Sequence, residues 1–216
     1  MSQESKVKTA GSKKSLKTAG ETWPFIKEDY TRGHQLKKEG KPIAWSCALV
    51  EKDLFYAMGV TPFFPEQFAA LCAVMRKDRE GEKYSIRFAQ IAEQKGYPSY
   101  LCGYCRVVLG YLIQGDLTDG PLGGMPRPDM MVTTTTRCDV RLKWFEDMAQ
   151  RMKIPLFTLD RPERVQDNIT GVAGTRSLLY PYRSKLNLDR PDVILSTPSN
   201  DEVDYYISEL RNCISF

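Results

Sequence analysis

At 216 residues the chain is long enough for one substantial core and an appendage, and tight for two full domains. Its 42% hydrophobic and 27% charged residues suit a soluble globular protein, and no uninterrupted apolar stretch reaches bilayer length. The net charge of +4 has a local origin: residues 1–20 hold five lysines and one glutamate, and subtracting these from 31 basic and 27 acidic side chains leaves 26 of each, so the remainder is formally neutral. That excludes a basic domain able to track nucleic-acid phosphates.

The opening MSQESKVKTAGSKKSLKTAG repeats Lys-Thr-Ala-Gly at 8–11 and 17–20 and reads as a solvated, mobile arm. It has neither the apolar centre of a secretory signal nor the arginines of a transit peptide, so a cytoplasmic location is expected. Glu21 to Gly40 reads as a helix with Pro24 in its first turn and Gly40 as terminator, although Gly33 weakens the case for an unbroken one. The only histidine, His34, lies there among Lys and Gln and suits an exposed or packed helix position better than a ligand.

KPIAWSCALV, from Lys41, is a nearly continuous apolar run of the kind found in a strand buried on both faces of a parallel sheet. A short helix through DLFYAMG, an extended VTPFF and a helix through EQFAALCAVMRK follow. Cys72 on that last helix reads as a small buried hydrophobe. SIRFAQIAEQKG is a helix ending at Gly96, YPSYLCGYCRVVLGYLIQG is helical around Cys102 and Cys105, and the Gly- and Pro-rich DLTDGPLGGMPRPD is an irregular loop. That loop has neither a GxxxxGK[ST] nor a GxGxxG spacing, so neither ATP nor NAD is supported from it.

MMVTTTT predicts a strand, and DVRLKWFEDMAQRM an amphipathic helix with Leu142, Phe145, Met148 and Ala149 on one face. IPLFTLD is a further strand, and Ser199 with Glu202 makes a capping box for a last helix, DEVDYYISELRNC. Strand, helix and strand joined by short links define the fold class as α/β, a parallel, Rossmann-like sheet flanked by helices and preceded by the basic arm.

Six cysteines in such a chain read as metal ligands, catalytic thiols or small core residues rather than disulfides. Cys138 is the most informative, because it directly follows a buried strand and opens a helix. Ligands bind at the carboxyl ends of parallel strands, and unpaired N–H groups at a helix start stabilise a thiolate. Cys102 and Cys105 form a CxxC, a spacing shared by zinc ribbons, iron–sulfur proteins and thiol redox enzymes. A structural zinc lacks a second pair here, whereas an iron–sulfur cluster accepts ligands from separated segments. Glu66 and Asp139 are the carboxylates to consider for acid–base work, each equally explained as a helix N-terminal acid. Nucleophilic catalysis through Ser/His/Asp or Cys/His is poorly served by a single histidine in the N-terminal helix.

GKPIAWSCALVEKDLFYAMGVTPFFPE, LCGYCRVVLGY and PRPDMMVTTTTRCDVRLKWFEDMA followed by IPLFTLD resemble successive blocks of the 2-hydroxyacyl-CoA dehydratase and benzoyl-CoA reductase family. The resemblance runs from about residue 16 to the end. It implies a [4Fe–4S] cluster held by three cysteines, two of which fall on Cys102 and Cys138. It also implies a second homologous subunit, an ATP-hydrolysing activator that delivers electrons, and a CoA thioester as substrate. The LKTAG and FFPE segments look closer to benzoyl-CoA reductase, so ring reduction is the leading expectation. Water elimination through a ketyl radical, and a non-catalytic electron-transfer or scaffold subunit of the same fold, are the alternatives, and a thiol-redox protein using Cys102 and Cys105 is a fourth. Relatives take their third cluster cysteine from a second α/β domain, so this chain is expected to be the N-terminal part of a subunit. Cys47, Cys105 and Cys213 have no motif support as that third ligand. Arg106 and Lys143 are available for CoA phosphates but read better as solvated helix charges. The resulting division is a tail over 1–20, a helix over 21–40, an α/β domain over 41–180, and a linker with a C-terminal helix over 181–216 that leads to a missing second domain.

Overall fold

The structure, a computed structural model, describes residues 17–76, 81–135, 138–160 and 200–216. Among these residues four strands form one sheet in the order β2-β1-β3-β4: β1 Ile43–Ser46, β2 Thr61–Phe63, β3 Met130–Thr134 and β4 Leu156–Leu159. Every pairing is parallel, with Trp45 opposite both Phe63 and Met131, and Val132 opposite Phe157. The two central strands carry the most buried sequence, and all four residues of β1 are inaccessible, as its unbroken apolar run requires. At the edge, β2 holds Pro62. Thr61 N donates inward to the carbonyl of Pro42, so the alternation along the strand turns the missing N–H of Pro62 to the outside.

Among the described residues seven α-helices surround the sheet: α1 Trp23–Lys38, α2 Lys52–Ala57, α3 Pro65–Val74, α4 Tyr84–Gln94, α5 Gly103–Ile113, α6 Asp139–Met152 and α7 Asn200–Ser215. The expected N-terminal helix is present and continuous through Gly33. That glycine is a packing feature, because a Cβ there would land on the ring of Phe63. Helices α3, α4 and α5 lock together through Phe68, Phe88 and Tyr111; the ring centroids of Phe68 and Phe88 lie 4.5 and 5.5 Å from that of Tyr111. Gly110 permits the closest approach in this layer, since a Cβ would collide with the backbone of Phe88. On α6 the buried face is Trp144, Phe145, Met148, Ala149 and Met152, while Leu142 is only half-buried.

The loop after α5 is fastened at several points. Tyr111 Oη donates to the Leu117 carbonyl at 2.5 Å and accepts from Met125 N at 2.9 Å. Trp45 Nε1 donates to the Pro126 carbonyl and His34 Nε2 to the Gly124 carbonyl, both at 2.9 Å. The sole histidine is therefore a packed helix residue with a backbone partner. Helix α7 lies along β4, where Phe157 and Phe216 rings are 5.4 Å apart, and its Tyr206 hydroxyl donates to Glu51 at 2.9 Å. The capping box at Ser199 and Glu202 falls outside the described residues. Among the described residues no helix is long and apolar enough to cross a membrane.

Candidate cysteine site at the helix N-termini

The chain leaves β1 for β2 on one side and then crosses to β3 on the other, so the order of strands reverses between β1 and β3. At such a switch point the connections part and leave a crevice at the carboxyl ends of the strands. The residues gathered there are Cys47 and Ala48 after β1, Glu66 at the start of α3, and Cys138 with Arg141 at the start of α6. Cys47 N donates to the Val132 carbonyl at 3.1 Å, Ala48 N donates to Glu66 Oε1 at 3.4 Å, and Arg141 N donates to the Cys138 carbonyl at 3.0 Å.

Cys138 is the N-cap of α6, with extended backbone (φ −147°, ψ 107°) and an exposed side chain. Cys102 holds the same place in α5, also exposed. Neither cysteine makes a side-chain capping hydrogen bond. The two helices run side by side in one direction. At their C-terminal ends Leu112 and Ile113 share an open cleft with Gln150, Arg151 and Lys153, and near their starts Cys105 lies within electrostatic reach of both Cys102 and Cys138. The N-termini of α5 and α6 therefore bring the two exposed cysteines to one corner of the molecule.

Cys105 itself is 2% exposed, and burial, reinforced by Cys102, Asp147 and Cys138, pushes its thiol up to about 12. Cys47 is fully buried, and its thiol is raised by burial against the opposing pull of the Leu49 backbone, Arg141 and Thr133. Cys72 is fully buried among the aromatic helices, as expected of a core residue. Cys213 faces Val60 and Met130, at the amino-terminal starts of β2 and β3, so it lies at the opposite end of the sheet from Cys138. Among the described residues no three His, Cys, Asp or Glu side chains converge on a metal-sized site. The donor set fits a thiophilic centre in part: two exposed thiols at helix N-termini, of the three that a cluster held by three cysteines needs.

The two candidate carboxylates separate clearly. Asp139 is exposed in the first turn of α6. Glu66 Oε2 is buried with no hydrogen-bond partner among the described residues. Burial raises the Glu66 carboxyl, and the backbone N–H groups of Glu66 and Ala48 and the charge of Arg141 only partly offset it. Arg141 is the residue that sequence reasoning missed. Its position three after Cys138 was visible, but its closeness to Glu66 and Cys47 follows only from the order of the strands. Arg106 donates to the Leu101 carbonyl at 3.1 Å and pairs with Glu93, and Lys143 is exposed with Glu146 at 3.1 Å, so both are accounted for as helix-surface charges.

The chain is thus an all-parallel α/β unit with two exposed thiols at helix N-termini and a buried carboxyl oxygen at its carboxyl edge. The family model described as 2-hydroxyglutaryl-CoA dehydratase, D-component, matches residues 47–216, and the chain belongs to this family. The chain is 30% identical over 148 residues to the alpha subunit of (R)-2-hydroxyisocaproyl-CoA dehydratase from Clostridioides difficile, a match covering 68% of this chain and 33% of that protein. It is 28% identical over 139 residues to the alpha subunit of lactoyl-CoA dehydratase from Anaerotignum propionicum, covering 59% of this chain and 31% of that protein. A benzoyl-CoA reductase subunit from Thauera aromatica matches at 32% over 80 residues, 37% of this chain and 18% of that protein. The chain thus spans about a third of the length of the two dehydratase subunits. Its membership of the combined family is as expected, while the longer matches lie on the dehydratase side and the reductase link is the weaker one.

Proposed function

We propose that this chain supplies the first α/β unit of a subunit of a 2-hydroxyacyl-CoA dehydratase-type enzyme, with Cys102 and Cys138 as two ligands of a [4Fe–4S] cluster. The observation that carries the reading is the pair of exposed cysteines at adjacent helix N-termini beside the switch point of a parallel sheet. When bound, such a cluster supplies single electrons at low potential. The third ligand comes from the portion of the subunit that this chain does not span.

The work of the chain's own residues is orientation and proton handling. Two helix N-termini hold the thiols, and the carboxyl ends of the buried strands form the floor of the site. Glu66 holds a proton more readily than an exposed carboxylate and has one unpartnered oxygen, as a group that exchanges a proton with a hydroxyl or carbonyl of a bound thioester requires. Arg141 limits how far that carboxyl rises. A second homologous subunit, an ATP-hydrolysing activator and a CoA thioester complete the reaction. A benzoyl-CoA reductase-type activity is the second reading, supported by the 32% identity to the Thauera aromatica reductase chain.

Co-expression with the partner subunits and strictly anoxic purification test the assignment through iron and acid-labile sulfide content. The wild-type complex is expected to contain both, and the Cys102→Ser, Cys138→Ser double variant to lose them. A cluster that persists unchanged in the double variant refutes the ligand assignment. Turnover of a 2-hydroxyacyl-CoA against benzoyl-CoA, with activator and ATP, decides between elimination and ring reduction, and turnover of neither leaves the carrier role.

A further inference from the structure

Cys105 has no part in the proposed cluster, yet its placement relative to Cys102 is specific. Cys102 is the N-cap of α5 (φ −46°, ψ 131°), and Arg106 N donates to its carbonyl at 3.0 Å, so the first turn of the helix closes over the CxxC. A three-residue offset within a helix sets Cβ atoms about 5–6 Å apart, and a small backbone adjustment at the non-helical N-cap residue brings them to the roughly 4 Å that a disulfide spans. The two thiols differ sharply in access, Cys102 being exposed and Cys105 2% exposed. The approach to Cys102 is open, because Cys102 is itself exposed and its neighbours Tyr100 and Tyr104 turn outward at 89% and 49% exposure.

We propose that Cys102 and Cys105 form a thiol–disulfide exchange site for low-molecular-weight disulfides, in which Cys102 is attacked first and Cys105 resolves it. The Cys102 thiolate attacks one sulfur of the small disulfide, forming a mixed disulfide and releasing one small thiolate. Cys105 sulfur then attacks Cys102 sulfur, displacing the second small thiol, which leaves carrying the Cys105 proton. The chain loses two hydrogens and two electrons, and the small disulfide gains them as two thiols. Exposure sets the order, since a dissolved disulfide reaches Cys102 and not Cys105. The product withdraws Cys102 from any metal and returns it on reduction, so an oxidised site is held in a recoverable form rather than carried to sulfinic acid. This inference goes beyond the proposed function and does not depend on it, because the exchange needs only the two thiols of the metal-free chain.

The test uses the full chain, purified metal-free under anoxia, incubated with oxidised glutathione, alkylated and mapped by peptide mass spectrometry. The expected wild-type product is a Cys102–Cys105 peptide lighter by two hydrogens and reversed by dithiothreitol. In Cys105→Ser, and in Cys105→Ala without the new hydroxyl, Cys102 is expected to accumulate the glutathione adduct at least about tenfold over wild type. A stable glutathione adduct on wild-type Cys102, a Cys102–Cys138 cross-link, or an unmodified Cys102 each overturns the proposal. Iron and sulfide content of the Cys105→Ser complex reports separately on the cluster reading.

Discussion

Cys102 and Cys138 occupy one structural position twice: each is the N-cap of a long helix, each is exposed, and neither caps its helix with its side chain. Serine is among the preferred N-caps, whereas a thiol is a poor acceptor for backbone N–H groups. The single variants Cys102→Ser and Cys138→Ser are therefore expected to match wild-type stability or gain up to about 1 kcal/mol in the metal-free state. Denaturant unfolding of the apo chains checks this, and a loss of more than that would place the cysteines in the structural core rather than in a binding role.

Glu66 gives a pH signature. Its folded-state carboxyl is raised by burial, so the stability linked to it is fully present below the unfolded value of 4.5 and is lost as pH rises through the folded value. Glu66→Gln mimics the protonated form. Relative to wild type, it is expected to unfold at a similar temperature near pH 4 and at a higher one at neutral pH, while turnover falls by roughly 10²–10⁴-fold. Thermal melts at the two pH values settle the first part, and parallel melting of both proteins across that range contradicts it.

The α4–α5 contact depends on the absence of one atom. Gly110→Ala drives a Cβ into the backbone of Phe88, where no side chain can rotate away, and is expected to cost about 1–3 kcal/mol or more. Gly103→Ala, in open space at the start of the same helix, is expected to be neutral or to stabilise by up to about 1 kcal/mol. Equal midpoints for the two variants in urea would rule out the close packing.

Tyr111 couples the aromatic layer to the following loop through a hydroxyl that both donates and accepts. Tyr111→Phe leaves the ring stack with Phe68 and Phe88 intact but strands Met125 N and the Leu117 carbonyl, at a cost of about 1–3 kcal/mol. Amide exchange should show the loss concentrated at Met125, with little change in the strands.

Much of this architecture was legible because each central element carries its own periodicity. The apolar run around Trp45 could only be a doubly buried strand, and Phe145, Met148 and Ala149 could only be one face of a helix. Gly33 misled in the other direction, since local propensity records a weak helix residue and cannot record the ring of Phe63 that occupies the space. The candidate site was half legible: Cys138 announced itself as the joint between strand and helix, but the meeting of Glu66, Cys47 and Arg141 depends on which strands are neighbours. Local sequence does not state that order. The equivalence of Cys102 and Cys138 was hidden for the same reason, because parallel packing of α5 on α6 is a tertiary fact.

Pro62 sets one border of the sheet apart from the other. With its missing N–H turned outward, β2 offers a broken row of donors to any approaching strand, and that border is blunted against pairing. On the opposite border β4 has no proline and pairs only inward, to β3, among the described residues. The two borders of the sheet therefore differ in the row of backbone donors they present.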